Sequence, residues 1–500
     1  MDMSVLIALP VIIPLIVGAL SLVVLKNHGA QRLLGLLGTG AVLIAAILLL
    51  WQTHLNGIKV LEVGSWPAPF GIVLVSDLLG AIMVLLAAIT GFATAIYSLK
   101  TVRKRFERFG YYPLLHLLLA GVNGAFLTGD IFNLYVWFEV LLVASFALLI
   151  QGGERAQMEG AIKYVTLNLL SSALFLTAIG LLYGMVGSLN MADIAVRLTA
   201  VEDPKMVTLV AMLFLIAFSI KAAAFPLFFW LPASYHTPQV AVSAIFAGLL
   251  TKVGVYALYR VFSLMFTAEV DFTHQVILWM AVFTMLTGVL GAASQFEVRR
   301  ILSFHIVSQI GYMMLALALF TPLALIGGVF YIMHHIIVKA NLFFIAGMMY
   351  RLGGSFELKE LGGLYKKHPG LAVLFLIPAF SLAGVPPLSG FFAKFILIKA
   401  GVEAEAWWAV AVALFVGLFT LFSMIKIWNE AFWKKAPEPA IEIPAPVRNK
   451  ALYWTTGILA SMTIAIGLFA QPIYVLAEMA ANQLLNPQLY IDAVLGGGRL

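Results

Sequence analysis

Apolar stretches of roughly 20 residues, separated by short polar loops, follow one another along almost the whole chain. The first of them, "MDMSVLIALPVIIPLIVGALSLVVL", sets the pattern. A run of that length crosses a hydrocarbon core as one helix. In lipid a backbone must satisfy its own hydrogen bonds, and a helix does so within a single segment. Only 11% of the 500 residues are charged, where soluble domains carry about 25%. The expected fold is therefore an all-α polytopic membrane protein with about 14 spanning helices. They fall at roughly 4–25, 33–51, 70–97, 112–129, 131–151, 161–186, 206–231, 239–263, 274–294, 300–320, 322–350, 370–399, 406–432 and 451–478. Loops this short leave no room for a soluble domain.

The first run has no small-residue cleavage site after a short core, so it reads as a span. The absence of cysteine excludes disulfides, thiolate metal sites and cysteine-ligated clusters. Loops after odd-numbered spans hold about 19 Lys and Arg, whereas those after even-numbered spans and the C-terminus hold about 6. The positive-inside rule makes the odd loops cytoplasmic and puts both termini outside. The net charge of +7 belongs to those loops and gives no argument for nucleic acid. The longest polar connection, "KKAPEPAIEIPAPVRNK" at 434–450, is too rich in proline for a helix.

After Asp130, one carboxylate breaks the run "DIFNLYVWFEVLLVASFALLI". Glu139 sits near its middle, where a charge costs on the order of 3 kcal/mol or more. With Lys163, Arg260, Arg300 and Lys399, near span ends, counted to the adjoining loops, the same count leaves five basic residues inside spans, all lysine: Lys221, Lys252, Lys339, Lys394 and Lys426. A purely structural set of ion pairs needs comparable numbers of acids and bases. One deep acid facing five lysines does not supply that. Lysine gives up its proton readily when desolvated, and a row of such lysines has the chemistry of a proton relay. Lys426 lies near a helix end and could snorkel to the interface, whereas Lys252 in "GLLTKVGVYALYR" is near mid-span.

His335 and Lys339 are four residues apart and share a helix face. His305 and His334 lie in the same region, and with Lys426 they are candidate further stations. The deep carboxylates are too few for a metal site. No cofactor fingerprint or nucleophile constellation points to an enzyme.

Two spans carry proline clusters beside a lysine. Pro226 follows Lys221 by five residues, and Pro386 and Pro387 precede Lys394. Proline removes a donor and frees carbonyls, which at membrane depth is tolerated where the backbone is protein-buried or lines a wet cavity. The broken spans are the seventh and twelfth, five apart. Grouping spans 4–8 and 9–13 gives two units of opposite topology, the inverted-repeat plan. The expected organisation is 1–111 for the N-terminal spans, 112–265 and 266–433 for the two repeats, and 434–500 for the last loop and span.

"FLTGDIFNLYVWFEVLLVASFALL", "HTPQVAVSAIFAGLLTKVGVYALYR", "HHIIVKANLFFIAG" and "AGVPPLSGFFAKF" resemble the antiporter-like membrane subunits shared by respiratory complex I and the Mrp-type multisubunit sodium/proton antiporters. The resemblance runs from about the third to the thirteenth span. Within that superfamily, "GDIFNLYVWFEV" and the length are most similar to the D-type Mrp subunits. The resemblance implies that Glu139 and Lys221 act as a pair and that Lys252 is a central station. It also implies that Lys394 is a terminal station, and that His335 and Lys339 belong to the polar axis between them. It further implies sodium coupling, a prokaryotic cell membrane, and work only alongside other membrane subunits, one large and A-type, others small and including a C-type chain. Two rivals stay open: a component of complex I or of a membrane hydrogenase, with redox energy driving the same relay, and a self-contained solute transporter.

Overall fold

The computed structural model describes residues 3–437 and 450–496. Most of the proline-rich connection at 434–450 lies outside the described residues. Among those described, twelve helices are long and apolar enough to cross a membrane, and two further apolar helices are shorter, Tyr111–Leu127 and Pro369–Ala383. The helices Val240–Leu264 and Pro322–Gly353 are 94% buried over their most apolar windows, so they form the centre of the molecule. The flanking helices His28–Asn56, Arg155–Val186 and Trp407–Trp433 bury 39% and turn the remainder outward. Their outward residues, such as Leu37, Ile162 and Leu418, are apolar. Such a surface suits lipid or a neighbouring subunit.

Three expectations need correction. The third span was expected at 70–97. The structure instead has an antiparallel two-stranded ribbon, Lys59–Glu62 with Val73–Ser76, before a helix at Leu78–Thr101. The apolar strand runs straight into the helix, so hydropathy fuses them. Asp77 separates them by capping the helix, its carboxylate accepting from Gly80 N at 2.8 Å. The last span was expected at 451–478. The helix Lys450–Leu468 stops there, and separate helices follow at Ala470–Leu485 and Pro487–Leu495.

The third correction concerns charge. Arg260 was counted with the loops, yet it lies buried in the helix Thr251–Leu264 and forms an ion pair with Asp77. The buried basic residues are thus not all lysine, and Glu139 is not the only acid answering them. Arg260 also sits over the rings of Tyr256 and Tyr490, at 5.4 and 4.9 Å. This network ties the third helix, the eighth span and the C-terminal helix into one end of the molecule.

Both proline clusters coincide with gaps in helix. The chain leaves the helix Pro204–Ala222 through Ala223, whose φ of 60° is left-handed, and re-enters helix at Trp230–Ser234. A non-glycine residue there is strained backbone held by its surroundings. The surroundings are visible: Trp230 Nε1 donates to the Ile220 carbonyl at 3.0 Å, and Phe225 N donates to Thr284 Oγ1 at 2.8 Å. The second gap separates Pro369–Ala383 from Ser389–Glu403. Here Gly390 N donates to Ser381 Oγ at 3.1 Å.

Candidate functional site

Lys221 is the penultimate residue of its half-helix, where a cation complements the carbonyl end of the helix. Its Nζ donates to Ser172 Oγ at 3.0 Å and to the Asn168 carbonyl at 3.2 Å, and lies 5.4 Å from the centre of the Phe138 ring. Ser172 Oγ in turn donates to Glu139. The acid and the lysine are therefore joined through a hydroxyl. Glu139 itself is only partly buried in the single chain.

Lys252 follows a π-helical segment, Phe246–Leu250, inside the central helix. A π segment shifts the backbone register and frees carbonyls. Lys252 Nζ takes one of them, the Ala247 oxygen at 2.5 Å. No acid pairs with Lys252 among the described residues. Lys339 Nζ donates to the Leu302 carbonyl at 3.0 Å. Gly248, one turn before Lys252, packs against Ile336 and Ala340 of the helix that carries His335 and Lys339 one turn apart, so the two central helices meet at these three titratable groups. All three are fully buried.

The adjacent histidines serve different neighbours. His334 Nδ1 bonds to Ser389 Oγ at 2.8 Å, and Ser389 bonds to Ser381 at 3.0 Å across the second break. Lys394 Nζ reaches back across that break to the Ala383 carbonyl at 3.0 Å and lies 5.1 Å from the centre of the Tyr312 ring. Each break thus sets a lysine at the carbonyl end of its first half-helix, Lys221 by sequence and Lys394 by folding back.

His305 is fully buried, three residues along its helix from Leu302, whose carbonyl takes Lys339. Neither ring nitrogen of His305 or of His335 has a protein hydrogen-bond partner among the described residues. Buried polar atoms without protein partners are where ordered water binds. Lys426 donates to the Ala293 and Gln295 carbonyls at 2.7 and 2.6 Å, closing the end of the helix Val270–Ser294. That is a capping role.

The neutral polar residues of the row were missed by the sequence reading: Ser172, Asn168, Ser381, Ser389, Gln309, Tyr312 and Tyr331. Tyr331 donates to Gln309 and stacks on Tyr312 at 5.1 Å, between Lys394 and the two histidines. No contact joins the Lys221 side chain to Lys252 among the described residues. The two helices nonetheless touch there, because Gly254 lies against the Lys221 and Ala222 backbone. A Cβ at Gly254 would come within 2.5 Å of Ala222 N.

A cavity of about 340 Å³ opens at the end that carries the basic loops, beside the short helix after the first break. Glu159, Lys163, His236 and Arg300 line it. His236 Nδ1 faces the Pro232 carbonyl at 2.8 Å and must donate to it, leaving Nε2 to accept from Arg300 Nε at 3.1 Å. Burial first, and the Arg300 and Arg299 charges next, push the His236 imidazole down to about 4.

The family described as "NADH:quinone oxidoreductase/Mrp antiporter, TM" matches residues 128–420, which contain every one of these groups except Lys426. The D-type Na(+)/H(+) antiporter chain of Alkalihalophilus pseudofirmus is 47% identical over 493 residues, covering 99% of this chain and all of that protein. Its counterpart in Bacillus subtilis is 38% identical over 490 residues, covering 97% and 98%. A chain in the structure of the Mrp complex from a Dietzia species superposes with a TM-score of 0.92 at 34% identity, covering 99% of this chain and all of that one. The family match, the fold and the whole-length likeness agree, and the chain belongs to the family of membrane subunits shared by NADH:quinone oxidoreductases and Mrp antiporters.

Proposed function

We propose that this chain is a membrane subunit of a multisubunit sodium/proton antiporter and moves protons along its buried row of lysines and histidines. The observation that carries the reading is the Glu139–Ser172–Lys221 connection. A carboxylate, a hydroxyl and an ammonium in series can hold a proton on the lysine when closed and release it when the acid moves away. From Lys221 the relay runs by Lys252, Lys339 and His335 to His334 and Lys394, with ordered water at ring nitrogens that have no protein partner.

Four groups of this row, Lys252, Lys339, His335 and His334, sit on the two central helices, which are nearly inaccessible from outside. Protons then reach the row only where the helices are broken. The cavity by His236 and Arg300 adjoins the first break at the basic end. With that end cytoplasmic and both termini outside, it is the access from the cytoplasm, and Lys394 at the second break is the opposite end. The parallel placement of the two lysines supports inverted repeats at 112–265 and 266–433, flanked by 1–111 and 434–500. Sodium coupling is taken from the named relatives. It requires partner subunits, including large A-type and small C-type chains, in a cell membrane.

The test is antiport in everted vesicles carrying the assembled complex. Glu139→Gln should bring proton/sodium exchange to background with the complex still assembled. Normal exchange at matched expression would remove the relay.

A further inference from the structure

A second and larger cavity lies away from the lysine row, at the same basic end. It is a groove of about 1020 Å³ between the last turn of Pro322–Gly353, the turn at Lys367–Pro369 and the first turns of Lys450–Leu468. Its rim carries Arg351, Lys367 and Lys450, and among the described residues no acid lines it. Its walls are Met348, Leu352, Trp454 and Ile458. Trp454 and Ile458 are 69% and 53% exposed. They belong to a helix apolar enough to cross a membrane. Gly457 between them adds no bulk, since a Cβ there would meet nothing within 4 Å.

We propose that this groove binds one anionic phospholipid, with the phosphate against Arg351, Lys367 and Lys450 and the acyl chains along Trp454, Gly457 and Ile458. Charge complementarity selects the occupant. A neighbouring apolar helix would leave three cations unneutralised in a closed interface, which is expensive. A soluble anion would neutralise them and leave the apolar wall bare. A phospholipid meets both demands, and basic pockets between spanning helices on the cytoplasmic side are suited to such headgroups. The dimensions agree. Lys450 to Ser461 spans about 16 Å along the helix at roughly 1.5 Å per residue, enough for a headgroup and the upper part of its chains. The tryptophan stands near the basic end, where indole rings favour the interface.

One of the three cations is also held in place. Arg351 Nη2 donates to the Lys100 carbonyl at 2.9 Å, which fixes the guanidinium and leaves its other donors available. The groove shares no residue with the relay, so the proposal stands or falls apart from the proton pathway.

The test uses the complete complex, purified in mild detergent and supplied with phosphatidylglycerol or phosphatidylcholine. Native mass spectrometry counts the phospholipids retained. Lys367→Gln/Lys450→Gln leaves the Arg351–Lys100 contact intact. It should lose one tightly bound phosphatidylglycerol per complex, or need at least about tenfold more to regain it, a loss of about 1.4 kcal/mol. Trp454→Ala keeps every cation and should also weaken retention. Phosphatidylcholine should not substitute, and inorganic phosphate should not compete. An unchanged phosphatidylglycerol count in both variants overturns the site. Equal competition by inorganic phosphate would make it a free-anion site, and loss of a partner chain with an unchanged lipid count would make it a protein interface. Either result also overturns the proposal.

Discussion

Lys221 Nζ donates to Ser172 Oγ at 3.0 Å, so the lysine meets Glu139 through a hydroxyl that donates onward to the acid. A serine hydroxyl has one proton and two acceptor sites, and here one acceptor site takes the ammonium while the proton goes to the carboxylate. Removing the hydroxyl deletes two charge-assisted hydrogen bonds, each worth about 1.5–3 kcal/mol. The freed ammonium keeps the Asn168 carbonyl, so a net loss equal to about one such bond is expected, and Ser172→Ala should slow antiport by roughly tenfold to a hundredfold, with the complex assembled. Ser172→Thr keeps the hydroxyl and should recover most of the rate. Equal rates for wild type and Ser172→Ala in everted vesicles would show that the bridge is idle.

The same bridge predicts coupling between its ends. Glu139→Gln removes the negative end of the bridge and Lys221→Ala the positive end, so in either variant the remaining charge keeps Ser172 but loses its counter-charge. Groups acting as one unit give non-additive losses. The double variant should be little slower than either single variant. Losses that multiply would mean that the acid and the lysine contribute separately.

How much of this was legible in the sequence depended on the kind of residue. Lysine and glutamate inside apolar runs are costly, so Glu139, Lys221, Lys252, Lys339 and Lys394 stood out. Ser172 did not, because a serine in an apolar helix can bond its own turn at little cost, and nothing local marks one that reaches across helices. Arg260 failed for another reason. It lies just over one turn before the end of its helix, close enough to be counted with the following loop, and its partner Asp77 is 183 residues away. Asp77 did carry a local signal, the capping position before Leu78, which would have started the third helix correctly.

His236 yields a prediction about pH. Its imidazole is pushed down to about 4 by burial and by Arg300 and Arg299, below the ordinary value of about 6.5. The stability gained by keeping it neutral is present above about 6.5 and is lost as pH falls toward 4. It does not change charge near neutrality in the folded state. His236→Gln should then leave the shape of the antiport profile between about pH 6 and 8 unchanged. Arg300→Gln relieves the second cause and leaves burial, the first, in place, so it should move the histidine titration upward from about 4 while keeping it below the ordinary value, read by NMR of histidine-labelled complex. A shifted profile in His236→Gln alone would mean that this histidine titrates during transport.

The second break makes a sharper demand on shape. A Cβ at Gly390 would collide with the Ser381 carbonyl oxygen and fall 2.9 Å from His334 Cε1. Gly390→Ala should separate the half-helices and lower the amount of folded protein. Ser389→Ala fits the space and removes only the hydroxyl and its bonds to His334 and Ser381. It should leave folding within about 1 kcal/mol of wild type yet reduce antiport. If Ser389→Ala transports normally while His334→Gln does not, the path passes His334 without using the serine pair.

The Arg260–Asp77 pair is expected to matter for stability rather than transport. Asp77→Ala removes the helix cap and leaves a buried guanidinium without its counter-charge, a loss of about 3–5 kcal/mol for such a pair. The complex should melt at a lower temperature and accumulate less. Asp77→Asn/Arg260→Gln keeps the cap to Gly80 and leaves no uncompensated charge, so it should be the more stable of the two variants despite carrying one more substitution. Tyr490→Phe tests the remaining contact. The ring still faces the guanidinium at the 4.9 Å seen here, so little should change, whereas Tyr490→Ala should cost roughly 0.5–2 kcal/mol or more through the lost cation–π contact and buried ring. Thermal unfolding of the assembled complex ranks all four. If Asp77→Ala melts no lower than the double variant, the ion pair is not what holds this end of the molecule together.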